Sequence, residues 1–267
     1  MRGRGMMTLV VLTLLAAGTA GAATAAPRVG MCHGMAATIW GTEGDDVLEG
    51  TAGADVIVGF GGNDGLVGHG GDDYLCGGAG DDMLFGDEGS DFLDGGLGAD
   101  DLDGGEGTDT MLGGPGADML FASPGEDWLS GGPGTDWASY DLIHSSVTID
   151  LGAHTVYPYN TSLAGFVEQT IYVENVQGSL HSDVIYGDDG RNQIRGLFGD
   201  DSIWGGGGND RITGESGDDL IYGGDGDDRV VGGRGNDTLH GDGGTDTVRG
   251  GAGTDQCTGE TLSSCES

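Results

Sequence analysis

An aliphatic side chain returns at every ninth position along most of this chain. From Gly41 the sequence divides into units of nine, GTEGDDVLE, GTAGADVIV, GFGGNDGLV, GHGGDDYLC, GGAGDDMLF and onward, eleven in one frame to Ser139. The eighth position carries Leu48, Ile57, Leu66, Leu75, Leu84, Leu93, Leu102, Met111, Leu120 and Leu129 until Ala138 ends the run. A second array opens at Gly178 and runs nine units to Thr258. Its eighth column reads Ile185, Ile194, Ile203, Ile212, Ile221, Val230, Leu239, Val248 and finally Cys257. The spacing fits no amphipathic helix. It predicts a three-residue strand in each unit, with the eighth side chain inward and the seventh and ninth outward. A fixed period of this kind marks a repeat architecture, with Ala138 and Cys257 as the array termini.

The polar positions are equally periodic. The first array has Gly at every fourth position, and its sixth column is Asp46, Asp55, Asp64, Asp73, Asp82, Asp91, Asp100, Asp109, Asp118, Asp127 and Asp136. In the second array the sixth column is Asp183, Asp201, Asp210, Asp219, Asp228, Asp237, Asp246 and Asp255, with Asn192 for one Asp and His181 for one Gly. Glycines at the first and fourth positions allow a tight turn whose carbonyls point inward. One buried aliphatic side chain cannot offset the entropy of ordering nine residues, so the repeat does not fold by hydrophobicity alone.

Composition sharpens this. The chain has 61 Gly among 267 residues, 45 acids, nine Arg, no Lys and a formal charge of −36. That balance excludes an ordinary layered globular domain and makes nucleic acid and anionic membrane surfaces poor partners. Cations are the natural ones. A hard divalent ion taking carboxylate and carbonyl oxygens would hold the aspartates together, and calcium suits this better than magnesium, which keeps its waters. Zinc would want His or Cys, which no repeat column supplies.

The unit Gly77-Gly78-Ala79-Gly80-Asp81-Asp82-Met83-Leu84-Phe85 resembles the RTX, or haemolysin-type, calcium-binding nonapeptide, and the resemblance covers all twenty units. It implies an all-β fold, a right-handed parallel β-roll (β-solenoid) in two stacked repeat arrays with a short non-repeat spacer. Two consecutive units then make one coil, and calcium lies between the turns of successive coils. Asp46 would stack over Asp64 and Asp55 over Asp73, and nine and seven such pairs set a ceiling of about sixteen ions. Many members of that family are exported by an uncleaved C-terminal signal and carry a protease, lipase or pore-forming domain. Neither feature is read here.

The remaining segments complete the organisation. Arg2 and Arg4 precede an apolar run from Met6 to Ala17 and then small residues, the layout of a cleavable secretory signal over residues 1–25, cut after Ala25. Residues 26–40 form an N-terminal cap, 41–139 and 178–258 the two calcium-binding arrays, and 259–267 a tail. Residues 140–177 are a spacer of two atypical coils, with strand-like runs Val147–Leu151 and Thr170–Val173 joined through Tyr157-Pro158-Tyr159-Asn160. Four cysteines in an exported chain read as disulfides. Of the three connectivities, Cys257–Cys265 with Cys32–Cys76 is favoured, free or intermolecular thiols being the alternative. Outward aromatics (Tyr74, Phe85, Phe92, Phe121, Trp128, Trp137, Trp204, Tyr222) fall on odd and even units alike and form no single stripe. The six Arg of the second array occupy variable positions and soften repulsion there.

No catalytic motif is present. The six His are dispersed without H-E-x-x-H, there is no G-x-S-x-G, and the absence of Lys excludes a Walker A loop. The expectation is a secreted, non-enzymatic protein that folds on binding several calcium ions and serves as a structural or adhesive extracellular module. A soluble calcium buffer of the envelope, or an accessory partner of a secreted enzyme, is the alternative. No membrane span or nucleic-acid partner is expected, and the cell-surface partner is not named by the sequence.

Overall fold

The computed structural model describes residues 30–158 and 168–265. The predicted leader, its cleavage point, and Tyr159 and Asn160 lie outside the described residues. Everything described is strand or turn, in 28 short strands without a helix. Successive units alternate between two sheets, one of twelve strands and one of fourteen, so that two units make one coil of a parallel solenoid.

Register follows the doubled repeat. Leu66 pairs with Leu84, Leu84 with Leu102 and Leu102 with Leu120 on the twelve-stranded sheet. Leu75 pairs with Leu93 and Ile203 with Ile221 on the other. These inward side chains from both sheets meet in one continuous core and are almost completely buried, whereas their seventh and ninth neighbours are half-buried or exposed, apart from Val56 and Val58 beneath the N-terminal segment and Ser139 and Asn175 at the seam.

Glycine is required where coils touch. At Gly226, φ is +133° and an added Cβ would overlap the carbonyl oxygen of Gly208, eighteen residues earlier. At Gly78, φ is +116° and a Cβ would strike the carbonyl of Phe60. At these two contacts the coils stack backbone on backbone, although the second position that Gly78 holds is filled in other units by Phe60, His69, Asp87, Leu197, Glu215 and Asp242 at φ between 66° and 84°.

The structure departs from the sequence reading at the seam. Ala138 closes the first array but not the stack, because Trp137–Ser139 pairs directly with Asn175–Gln177, which pairs in turn with Gln193–Phe198. The twelve-stranded sheet thus runs unbroken through both arrays. Where two atypical coils are expected, the opposite sheet instead receives a three-stranded meander, Val147–Asp150, Thr155–Pro158 and Glu168–Ile171. Its middle strand is antiparallel to both neighbours, and its outer strands pair with Trp128–Ser130 and Val184–Tyr186. Tyr157 and Pro158 therefore belong to a strand rather than to a connection. Tyr140, the largest fully buried side chain, joins Val147, Ile149, Val156 and Val176 in the same core across the seam.

Both ends are pinned. Met31–Cys32 and Met35–Ala36 form an antiparallel hairpin around His33 and Gly34, whose φ values of 50° and 86° are those of a tight two-residue turn. The hairpin lies on the outer face of the fourteen-stranded sheet, where Cys32 packs with Val56 and Val58 and is bridged to Cys76. The second disulfide joins Cys257 to Cys265 at the other end.

The eight outward aromatics form no single stripe, being divided between the two sheets, but two of them, Trp204 and Tyr222, belong to a shorter row. Odd and even units go to different sheets, so ninth positions eighteen apart align. Tyr186, Trp204, Tyr222 and His240 stack consecutively, with centroids 4.7, 5.9 and 4.6 Å apart and planes within 14°. Arg195 likewise lies 4.9 Å over the Trp137 ring, linking the second array to the first.

Candidate metal centres

The sixth position of every unit ends a turn and precedes a strand, so stacking brings all of them into two ladders, one along each turn edge. In the first, the backbone N–H of Asp46 donates to Oδ1 of Asp64 at 2.8 Å, Asp64 to Asp82, Asp82 to Asp100, Asp100 to Asp118 and Asp118 to Asp136. It resumes from Asn192 to Asp210, Asp228 and Asp246. The second ladder runs Asp55, Asp73, Asp91, Asp109, Asp127, and then Asp183, Asp201, Asp219, Asp237, Asp255. All nineteen aspartates of the sixth columns lie in these two lines.

Two glutamates outside the predicted set complete the first ladder. Asp136 N–H donates to Oε2 of Glu174 at 2.9 Å, and Asp246 N–H to Oε2 of Glu260 at 2.8 Å. Glu174 was legible, since counting back from Gly178 places it at a sixth position. Glu260 was not, because its turn is shortened and it sits 14 residues after Asp246 rather than 18. The second ladder is interrupted by the meander, where Val147 N–H occupies Oδ1 of Asp183 instead.

One carboxylate oxygen is thus used within the ladder, and the fate of the other separates the aspartates. In sixteen of them, Asp64 through Asp136 and Asp201 through Asp255, Oδ2 is buried and has no hydrogen-bond partner. In the other three it is taken: Thr42 and Thr51 each donate N–H and Oγ1–H to Oδ2 of Asp46 and Asp55, and Ser179 N–H donates to Oδ2 of Asp183. These three begin a ladder segment, and a hydroxyl at the second position replaces glycine in each.

Most of the orphaned oxygens face a cradle. A Cβ placed on Gly95 would lie 2.5 Å from Oδ2 of Asp100 and 2.8 Å from the carbonyl oxygen of Gly113, and Gly113 repeats this with Asp118 Oδ2 and the carbonyl of Gly131 at 2.5 and 2.7 Å. A carboxylate oxygen of one turn and a backbone carbonyl of the next coil therefore border the same space. No trio of His, Cys, Asp or Glu converges among the described residues. The available donors are oxygens, mostly from backbone, which suits a hard cation such as calcium and not zinc.

Electrostatics agree. Burial, only partly offset by the ladder N–H, together with repulsion from stacked neighbours, pushes Asp201 up to about 8. Asp91, Asp100, Asp109, Asp210 and Asp219 rise to about 7 for the same reasons. Asp127 and Asp136 rise to about 6. A carboxyl whose folded-state pKa is raised stabilises the fold below its unfolded value and loses that contribution as pH rises through the folded value. In chelator, circular dichroism should therefore show β-structure at pH 4 that disappears between pH 6 and 8. Indifference to acidification would contradict the geometry of the ladders.

The comparisons converge on the same residues. A search of curated proteins finds no match to this chain. The family model of the RTX calcium-binding nonapeptide repeat (four copies) matches residues 40–75, 77–111, 112–139, 177–212, 186–221 and 222–257, about two thirds of the chain. With the oxygen-lined turns stacked as that repeat requires, this calcium-binding chain belongs to the RTX calcium-binding nonapeptide repeat family.

Proposed function

We propose that this chain is an exported structural module whose coils are assembled by calcium. The ligands are the aspartates with a free second oxygen, in the runs Asp64–Asp136 and Asp201–Asp255, together with turn carbonyls of the adjoining coil. Asp46, Asp55 and Asp183, whose second oxygens are taken by Thr or Ser, close the ladders instead. The observation carrying this reading is the set of sixteen buried, unpartnered Oδ2 atoms, because a buried anion without a donor is tolerated only when a cation satisfies it. The same dependence on metal keeps the chain open where calcium is scarce and folds it where calcium is abundant. Two disulfides suit an oxidising exterior. A rigid rod assembled by calcium serves mechanical spacing or adhesion.

The test is a calcium titration of residues 26–267 at pH 7.5, followed by circular dichroism and calorimetry. The expected result is a cooperative gain of β-structure with many ions bound per chain. Calcium binding without any structural gain, or a fully folded chain in chelator, would refute the proposal.

A further inference from the structure

The segment after Thr258 is a coil with most of one turn removed. Thr261–Ser263 pairs in parallel with Thr247–Arg249 at an offset of 14 residues, where regular coils have 18. Gly259 holds a first position and is followed at once by Glu260, which stands in for a sixth-position acid on Asp246. Positions two to five of the turn are absent.

The same offset brings Ser264 to a first position, where its backbone enters a metal cradle. Asp255 is buried and its Oδ2 has no partner. A Cβ placed on Gly250 would overlap both that oxygen and the carbonyl oxygen of Ser264. Gly95 and Gly113 border the same arrangement, except that there the carbonyl belongs to a repeat glycine. The Ser264 carbonyl is further fixed by the N–H of Gly251, which donates to it at 3.3 Å.

Serine is an awkward residue for this place. Its φ of 52° is left-handed, a conformation that persists in a non-glycine residue only when the surroundings impose it. Packing does not impose it, because every residue from Thr258 to Ser264 apart from the strand pairing is exposed. The restraint comes from the next residue in the chain. Cys265 is bridged to Cys257, which pairs with Leu239 and packs against the core.

We propose that the Cys257–Cys265 disulfide is a redox gate on the calcium site at Asp255: the closed bridge holds the Ser264 carbonyl in the site, and a bound cation in turn protects the bridge. The gate rests on the calcium reading above. A dithiol reductant opens it by thiolate attack on one sulfur and displacement by its second thiol. Two electrons and two protons convert the Sγ–Sγ bond into two thiols, and the reductant leaves as its own disulfide. Ser264 can then relax from its left-handed conformation, and Asp255 loses a ligand. Linkage makes the effect reciprocal, since the factor by which oxidation tightens calcium is the factor by which calcium disfavours reduction. The other disulfide is differently placed, for Cys32 is completely buried whereas Cys257 and Cys265 are half-buried. The device ties this coil to surroundings that are both oxidising and rich in calcium.

The test is a titration of the calcium-loaded chain in graded dithiothreitol buffers, with free thiols alkylated and each disulfide read separately by peptide mass spectrometry. Asp255→Asn should make the Cys257–Cys265 bridge at least about tenfold easier to reduce, a rise of about 30 mV in its potential, and leave Cys32–Cys76 unchanged. Asp118→Asn, which removes the same charge from a distant rung, should move neither. If Asp255→Asn frays the coil outright, the converse variant carries the test. Cys257→Ser combined with Cys265→Ser should weaken the calcium-dependent protection of the Asp255–Ser264 amides from hydrogen exchange at least about tenfold, while the first array keeps its protection. The proposal is overturned by an Asp255→Asn bridge as resistant as the original, by an equal effect of Asp118→Asn, or by unchanged amide protection in the double variant. Circular dichroism on the same samples tells the two failures apart. A gain of β-structure on adding calcium without these shifts sinks only the gate, whereas no gain sinks the calcium reading.

Discussion

Chelation at pH 7.5 is expected to unfold the entire described solenoid rather than to loosen its turns. Sixteen buried carboxylate oxygens lack a donor, and their carboxylates stack one above another along each edge. Each uncompensated buried charge costs several kcal/mol, while a domain's whole stability is about 5–15 kcal/mol. Two or three vacated sites therefore exceed what the aliphatic core can hold. Protonation cannot substitute at this pH along the ladders, since Asp91, Asp100, Asp109, Asp210 and Asp219 are raised only to about 7 and Asp127 and Asp136 only to about 6. Loss of far-UV β signal and a several-fold larger hydrodynamic volume should occur together, and calcium should reverse both. Because the twelve-stranded sheet and the core cross the seam, the two arrays should melt as one transition. Retention of β-structure in chelator at pH 8 would show that the buried acids are satisfied by something other than metal.

Gly226→Ala should break the stack between two coils with a cost above about 3 kcal/mol. A positive φ costs an L-residue about 1–3 kcal/mol, and overpacking adds about 1–3 kcal/mol more. Here φ is +133° and the new methyl would overlap the Gly208 carbonyl, which belongs to the turn preceding Asp210. The clash separates the turns of Asp210 and Asp228, so the ion between them is lost as well. A solenoid coil touches only its neighbours, and the damage should spread toward the nearer end. Limited proteolysis in calcium should cut the last coils while sparing the first array. Gly65→Ala is the matching control, because a Cβ there meets nothing within 4 Å and φ is unexceptional. Equal behaviour of the two variants would mean that the coils stack less closely than the structure requires.

Much of this was open to inspection in the one-dimensional pattern. The inward ladder from Ile57 to Val248 and the alignment of nineteen aspartates follow from a period of nine and a coil of eighteen. The Cys32–Cys76 and Cys257–Cys265 pairings also match the favoured connectivity. Other features depended on which strands become neighbours. The aromatic row Tyr186, Trp204, Tyr222 and His240 is invisible until odd and even units are assigned to different sheets. Glu260 enters a ladder only because the last turn is short.

The seam shows most plainly where sequence stops and structure begins. Repetition by itself determined the unit, its turn, its inward residue and its appetite for a hard cation, since these are local consequences of glycine, aspartate and one aliphatic side chain. Tertiary structure alone decided that the stack continues past Ala138, that the meander interrupts the second ladder, and that Arg195, Arg211, Arg229, Arg234 and Arg249 share one sheet. The reason is physical: a repeat specifies contacts between equivalent positions, whereas a non-repeating segment is placed by whichever strand edges and buried volumes the neighbouring coils leave open.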